Sequence, residues 1–154
     1  MYRIGQSTDI HNLSKGKQLI LGQINIPSIW KVEAISDGDV ITHAICEAII
    51  GALGLGDLGE HFPENKQKKG FASSQIIEHC NKILLENKYQ IVNIDSLIIL
   101  DKPNLLEHKM NIKNNLAKLF DIEIERINVK ATTSEHNFLS MIQASAVVLL
   151  KKVE

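Results

Sequence analysis

Two cysteines in 154 residues, Cys46 and Cys80, are too few and too far apart for a disulfide scaffold or a thiolate metal cluster, and no C-x-x-C is present. Both fall on predicted helix faces and read as small buried apolar residues of a reducing compartment, so the expected location is cytoplasmic. The chain also lacks a long uninterrupted apolar run and a charged-then-apolar leader, so neither a membrane partner nor a targeting segment is expected. An excess of one charge is missing too: 17 Lys and Arg stand against 18 Asp and Glu, and no dense basic run could track a phosphate backbone, which argues against nucleic acid. No repeat, linker or low-complexity tract interrupts the chain. The sequence has 44% hydrophobic residues, enough for one ordinary core, and a single domain over residues 1–154 is expected.

What is present is organised around Ser36 to Glu64. Ser36-Asp37-Gly38-Asp39 supplies cap oxygens for a helix built from Val40, Ile41, Ala44, Ile45, Ala48, Ile49 and Ile50. Asp39, His43 and Glu47 recur on it at steps of four, which places them on one face. A polar stripe on so apolar a helix costs stability unless it is exposed or partnered by charge or metal. Asp9-Ile10-His11 offers that partner, because residues two apart in an extended chain point to one side. Asp9, His11 and His43 would then make a three-ligand nitrogen-and-oxygen site with a fourth position open, the arrangement of a catalytic zinc. The plain alternative stands beside it: Asp9 caps a turn and His43 pairs with Glu47 on a wet surface.

The remaining elements follow in order. Tyr2 to Gln6 reads as a strand, extended on to His11; Lys17 to Leu21 and Ile24 to Pro27 flank a Gly22-Gln23 turn as a small hairpin. The central helix ends at Gly51 and Gly54. Gly54-Leu55-Gly56-Asp57-Leu58-Gly59 matches a dinucleotide fingerprint letter for letter, but it closes a helix rather than following a strand, so that reading is rejected. Either these glycines carry the backbone closely past a ligand that Asp57 binds, or Asp57 simply caps the turn. Glu64 to Lys69 reads as a surface loop. Ser73 or Ser74 caps a helix through Lys88, in which His79 is a rim residue. Ile91 to Leu100 and Ile124 to Ala131 read as strands, Leu106 to Phe120 as a helix with Met110, Leu116, Leu119 and Phe120 inward, and Ala144 to Leu150 as a last strand.

Four motifs in order, Arg3-Ile4-Gly5 with Asp9-x-His11, Ser36-Asp37-Gly38-Asp39-Val40-x-x-His43-Ala44, Gly56-Asp57-Leu58-Gly59-x-x-Phe62-Pro63 and Asn128-Val129-Lys130-Ala131-Thr132-Thr133-Ser134-Glu135, give the chain a resemblance to the 2-C-methyl-D-erythritol 2,4-cyclodiphosphate synthase family from end to end. The resemblance implies a homotrimer with active sites between neighbours. The implied reaction closes 4-diphosphocytidyl-2-C-methyl-D-erythritol 2-phosphate into a cyclic diphosphate and releases CMP, on the non-mevalonate route to isoprenoid precursors. It implies Asp9, His11 and His43 as zinc ligands and Glu135 as ligand of a magnesium or manganese ion. Thr133 would steady the transition state. Ser36 and Asp57, with the Leu58 and Gly59 backbone, would bind substrate. Phe62 and Pro63 would line that pocket, and Pro103, Leu106 and Thr132 would belong to the cytidine side. A phosphate monoester, mostly ionised at neutral pH with a second pKa of about 6, needs no strong base, so the two cations would do most of the work.

The pattern departs in five places. Ile35 stands where the family has His, Gln6-Ser7 replace His-Gly, and Glu47 stands where Asp is usual. The loop after Phe62-Pro63 is a residue shorter, and a glycine-rich segment with an Arg is missing after Glu135. A second reading therefore stands: a homologue that assembles as a metal-bound, nucleotide- or diphosphate-binding trimer without efficient turnover. The expected fold is α+β in one domain, a mixed sheet packed on one side by about three helices in a ferredoxin-like arrangement, with a small extra hairpin.

Overall fold

The computed structural model describes residues 1–154. A mixed sheet carries the fold: β1 (Tyr2–Lys15), β4 (Trp30–Val32), β5 (Tyr89–Leu100), β6 (Ile127–Thr132) and β7 (Met141–Lys152) lie in the order β4-β1-β7-β5-β6. β7 runs antiparallel to both β1 and β5, while β5 and β6 pair in parallel across the crossover helix α4 (Lys109–Leu119). The hairpin β2 (Gln18–Leu21) and β3 (Ile24–Pro27) forms where the Gly22-Gln23 turn predicts it. Strict alternation along β7 buries Ile142, Ala144, Ala146, Val148 and Leu150 under the helices and turns Val147 outward. One face of the sheet is thus the core, and the other is open.

Helix α1 (Val40–Leu53) crosses the covered face against β1 and β7, with eleven of its residues buried. Its close approach depends on Gly5, where a Cβ would collide with the Ala48 carbonyl oxygen and the Ala52 methyl. Gly54 ends the helix in the left-handed conformation at φ 73°. A four-residue helix α2 (Leu58–His61) follows, and α3 (Ser74–Glu86) packs beside α1.

The structure shifts several sequence expectations. The first strand is one continuous run to Lys15 rather than a strand with an extended tail. The segment before β6 begins as a 3-10 turn at Ile124–Arg126, so the strand starts at Ile127. Helix α4 starts at Lys109, not Leu106, because Asn104 and the Leu105 carbonyl cap the preceding turn, and this rotates Ile112 into the core and leaves Met110 59% exposed. Cys46 and Cys80 are buried, the Cys80 thiol donating to the Cys46 carbonyl at 3.7 Å. No single helix is long and apolar enough to cross a membrane.

Candidate functional site

β1 and α1 build the site together. Alternation on β1 turns Gly5, Ser7, Asp9, His11 and Leu13 toward the helices, and the close contact at Gly5 brings α1 alongside. Asp9 Oδ1 lies 3.3 Å from His11 Nε2, and Asp9 Oδ2 lies 3.7 Å from His43 Nδ1. All three line one cleft of about 290 Å³, together with Ser36, Leu58, Gly59 and Phe62. No three such side chains form a finished metal cage, since both imidazoles meet through Asp9 rather than around a common centre.

Hydrogen bonds behind the imidazoles fix which ring nitrogen is bare. The His11 Nδ1–H donates to the Glu33 carbonyl at 3.0 Å; a carbonyl only accepts, so in the neutral ring Nε2 keeps its lone pair toward Asp9. Ser73 Oγ–H donates to Asp37 Oδ1 in a short bond, so the same hydroxyl must accept from His43 Nε2–H at 2.9 Å, which leaves Nδ1 bare. Asp37 in turn accepts from Ser73 N and Gln23 Nε2, each at 2.9 Å. Two bare imidazole nitrogens therefore face one carboxylate, and Asp9 Oδ2 is a buried oxygen without a hydrogen-bond partner. A carboxylate whose two oxygens each face an imidazole lone pair, one of those oxygens orphaned, is unfavourable alone, and the arrangement fits a bound divalent cation. Without a cation the alternative occupant is a proton on Nε2: its hydrogen bond to Asp9 raises the His11 pKa, burial opposes this, and the Asp9 charge, the Glu33 carbonyl and Glu64 add to the rise.

The stripe on α1 serves three different ends. Asp39 is the N-cap, fully buried, and accepts from Gly22 N, both donors of Gln23, and Thr42 N and Oγ1 at 2.8 to 3.2 Å, tying α1 to the β2–β3 turn. Burial pushes its pKa up, against the pull of those donors. His43 faces the cleft. Glu47 accepts from Ser7 Oγ at 2.7 Å and from Leu58 N at 3.3 Å, so the wet-surface pairing of His43 with Glu47 does not form. Ser73 stands at the start of α3 without a capping bond, its hydroxyl spent between Asp37 and His43; a serine before a helix reads as a cap, and nothing in the sequence signals this other use.

In the segment after α1 the capping reading of Asp57 is the one the hydrogen bonds display. Asp57 caps α2 in a reciprocal capping box with Glu60, and Leu58 and Gly59 line the cleft. Phe62 lines it as well, whereas Pro63 precedes the next turn and is not among the lining residues.

Thr132, Thr133, Leu106 and Lys109 line a different cleft of about 230 Å³ at the ends of β5 and β6. Pro103 lies on its flank, facing Ser28 and Ile29 across another hollow. Asp101 holds the loop after β6 by accepting from Ser134 N at 2.6 Å and Ser134 Oγ at 2.7 Å, which holds its pKa below the carboxylate range. Glu135, at φ 54°, is exposed on that loop and outside the Asp9 cleft. Within one chain the implied ligands thus divide into two separate places.

A small α+β protein with a carboxylate–imidazole cleft beneath the edge of a mixed sheet is the class that fold and site define. The YgbB family model matches residues 2–151, and the chain belongs to that family. The chain is 47% identical to the 2-C-methyl-D-erythritol 2,4-cyclodiphosphate synthase of Fusobacterium nucleatum over 136 residues, 88% of this chain and 85% of the relative. It is 42% identical to the Clostridium tetani protein of the same name, over 97% of this chain and 98% of that one. A solved cyclodiphosphate synthase in its CDP-bound form superposes with a TM-score of 0.91 at 33% identity, covering 97% of this chain and 100% of the other. A CDP complex of the Plasmodium falciparum enzyme gives 0.87 at 31% identity, covering 99% and 97%.

Proposed function

We propose that the protein is a 2-C-methyl-D-erythritol 2,4-cyclodiphosphate synthase, a phosphorus–oxygen lyase of the non-mevalonate isoprenoid route. An oxygen of the substrate's 2-phosphate attacks the β-phosphorus. One P–O bond forms, the bond from that phosphorus to the bridging oxygen breaks, and CMP leaves with the oxygen. No net proton is needed, so the chain's task is to hold two anionic ends of one molecule in line.

The Asp9 carboxylate, with Oδ1 toward His11 Nε2 and an unpartnered Oδ2 toward His43 Nδ1, carries this reading. Asp9, His11 and His43 would hold zinc, and Glu135 with the substrate would hold magnesium or manganese. Such cations supply Lewis-acid stabilisation of the charge that builds on the diphosphate. The cleft supports that need, because carboxylates of Asp9, Glu47 and Glu64 line it and no Lys or Arg does. Glu47 holds Leu58 N, and through it the Leu58–Gly59 backbone that, with Asp57 and Ser36, receives the methylerythritol hydroxyls. Phe62 closes the wall, with Pro63 behind it. Thr133 would steady the reacting phosphates, while Thr132, Leu106 and Pro103 would serve the cytidine end.

A homotrimer is the assembly that joins the halves. The Asp9 cleft and the Thr133 cleft are separate within one chain, and the open sheet face carries Ile4 and Val147, 71 and 41% exposed, as apolar surface for neighbours. The test is CMP release from the authentic substrate with zinc and magnesium. His43→Ala is expected to lose bound zinc and at least about 10³-fold in rate while keeping its fold. A parent protein that releases no CMP, or a variant as active as the parent, refutes the proposal.

A further inference from the structure

Two histidines outside the carboxylate–imidazole site remain unexplained, and they touch the segment that would receive the substrate diol. His61, the last residue of α2, places Nε2 2.8 Å from the Leu55 carbonyl and Nδ1 2.8 Å from His79 Nε2 on α3. A carbonyl only accepts, so His61 carries a proton on Nε2, and in the neutral ring its Nδ1 accepts from His79 Nε2–H. The result is a directed chain of two hydrogen bonds, from α3 through His61 to the glycine turn at Leu55. His79 also meets Phe62 edge-on, ring centres 5.2 Å apart. Burial lowers the His79 pKa, His61 and Lys82 lower it further and Glu86 opposes them, which favours a neutral His79 ring.

We propose that His61 and His79 are positioning residues, a clamp that fixes the Leu55–His61 turn to α3 and so holds Asp57, Leu58 and Gly59 at the geometry in which they bind substrate. The turn needs such a brace. Gly54 just before it and Gly56 within it have φ of 73° and 85°, none of the four α2 residues is buried, and its hydrogen bonds to α1 are Leu58 N to Glu47 and Leu55 N to the Ile50 carbonyl, beside the local capping box. Helix α3 then supports the site twice: Ser73 at its start sets the His43 ring, and His79 sets the substrate turn. The functional part of the proposal rests on the synthase reading above; the mechanical part does not.

The experiment compares His79→Phe, which keeps the edge contact to Phe62 but removes the donor, with His79→Gln, which restores an N–H donor. Amide exchange at Leu58, Glu60 and Phe62, each hydrogen-bonded in the clamped turn, is expected to quicken about tenfold in His79→Phe and to return toward parent in His79→Gln. Imidazole nitrogen shifts should show His61 protonated on Nε2 in the parent. KM for the diphosphate substrate is expected to rise about tenfold in His79→Phe, with kcat within about twofold and bound zinc unchanged, and to recover in His79→Gln. Unchanged exchange in His79→Phe, or a His61 proton on Nδ1, overturns the clamp even if the parent proves to have no synthase activity. Quickened exchange with unchanged KM in an active enzyme overturns its role in substrate binding.

Discussion

The Asp9 cleft and the Thr133 cleft are built to different standards of rigidity. Behind the first, every hydrogen-bonding group is spoken for: Glu33 and Ser73 orient the imidazoles, Asp37 orients Ser73, and a fully buried Asp39 locks α1 to the hairpin turn. The second depends on Asp101 holding one serine of an exposed loop, with Glu135 unsupported beyond a 3.2 Å bond from its own N–H to Thr133 Oγ1.

The contrast can be broken most forcefully at Asp39. Asp39→Ala strands the Gly22, Gln23 and Thr42 amides in the core, and denaturant titration is expected to show a loss of about 3 kcal/mol. A loss under about 1 kcal/mol would mean that the hairpin turn is not rigidly tied. Ser73→Ala should be gentler to the fold but weaken zinc about 10- to 100-fold in competition with a chelator, because His43 loses the acceptor that fixes its tautomer. Unchanged affinity would show that the relay from Asp37 is irrelevant to the cleft.

At the other cleft, Asp101→Asn should leave zinc affinity at the parent value and raise KM a fewfold, since it frees only the Ser134 loop. An equal loss of zinc affinity would erase the distinction between the two places. The pH dependence has a definite sign. The folded pKa of Asp101 lies below its unfolded value, so its hold on the loop is present above the ordinary carboxylate range and fades as pH falls through the depressed pKa. Measured by loop amide exchange, that fading should disappear in Asp101→Asn. The smallest effect belongs to the exposed Lys130–Asp95 pair at 2.6 Å, where Lys130→Ala is expected to change stability by less than about 0.5 kcal/mol.

Much of the first cleft was legible in the chain. Asp9-x-His11 predicts a shared side because alternation is a property of any strand, and the central helix is legible because its apolar residues outnumber all others. The stripe of Asp39, His43 and Glu47 was legible as a face but not as three separate partnerships, since Asp39 meets Gly22 and Gln23, 17 and 16 positions away, His43 meets Ser73 30 away and Glu47 meets Ser7 40 away. Met110 was misplaced because a helix pattern two or three residues out of phase still looks amphipathic, and only the cap at Asn104 and Leu105 sets the phase. Ser73, His61 and His79 carried no usable signal, being ordinary residues at a helix start, a helix end and a helix rim.

Sequence alone determined the longer strands and helices, though not β4 or α2, and the identity of the acidic and imidazole side chains, because these follow from periodicity and from what each side chain can donate or accept. Tertiary structure decided which imidazole nitrogen is bare, that Asp9 is left without a partner, and that Thr133 and Glu135 stand apart from the first cleft. Those outcomes depend on the closeness of α1 to β1 at Gly5 and on hydrogen bonds between distant segments, and no local pattern encodes either.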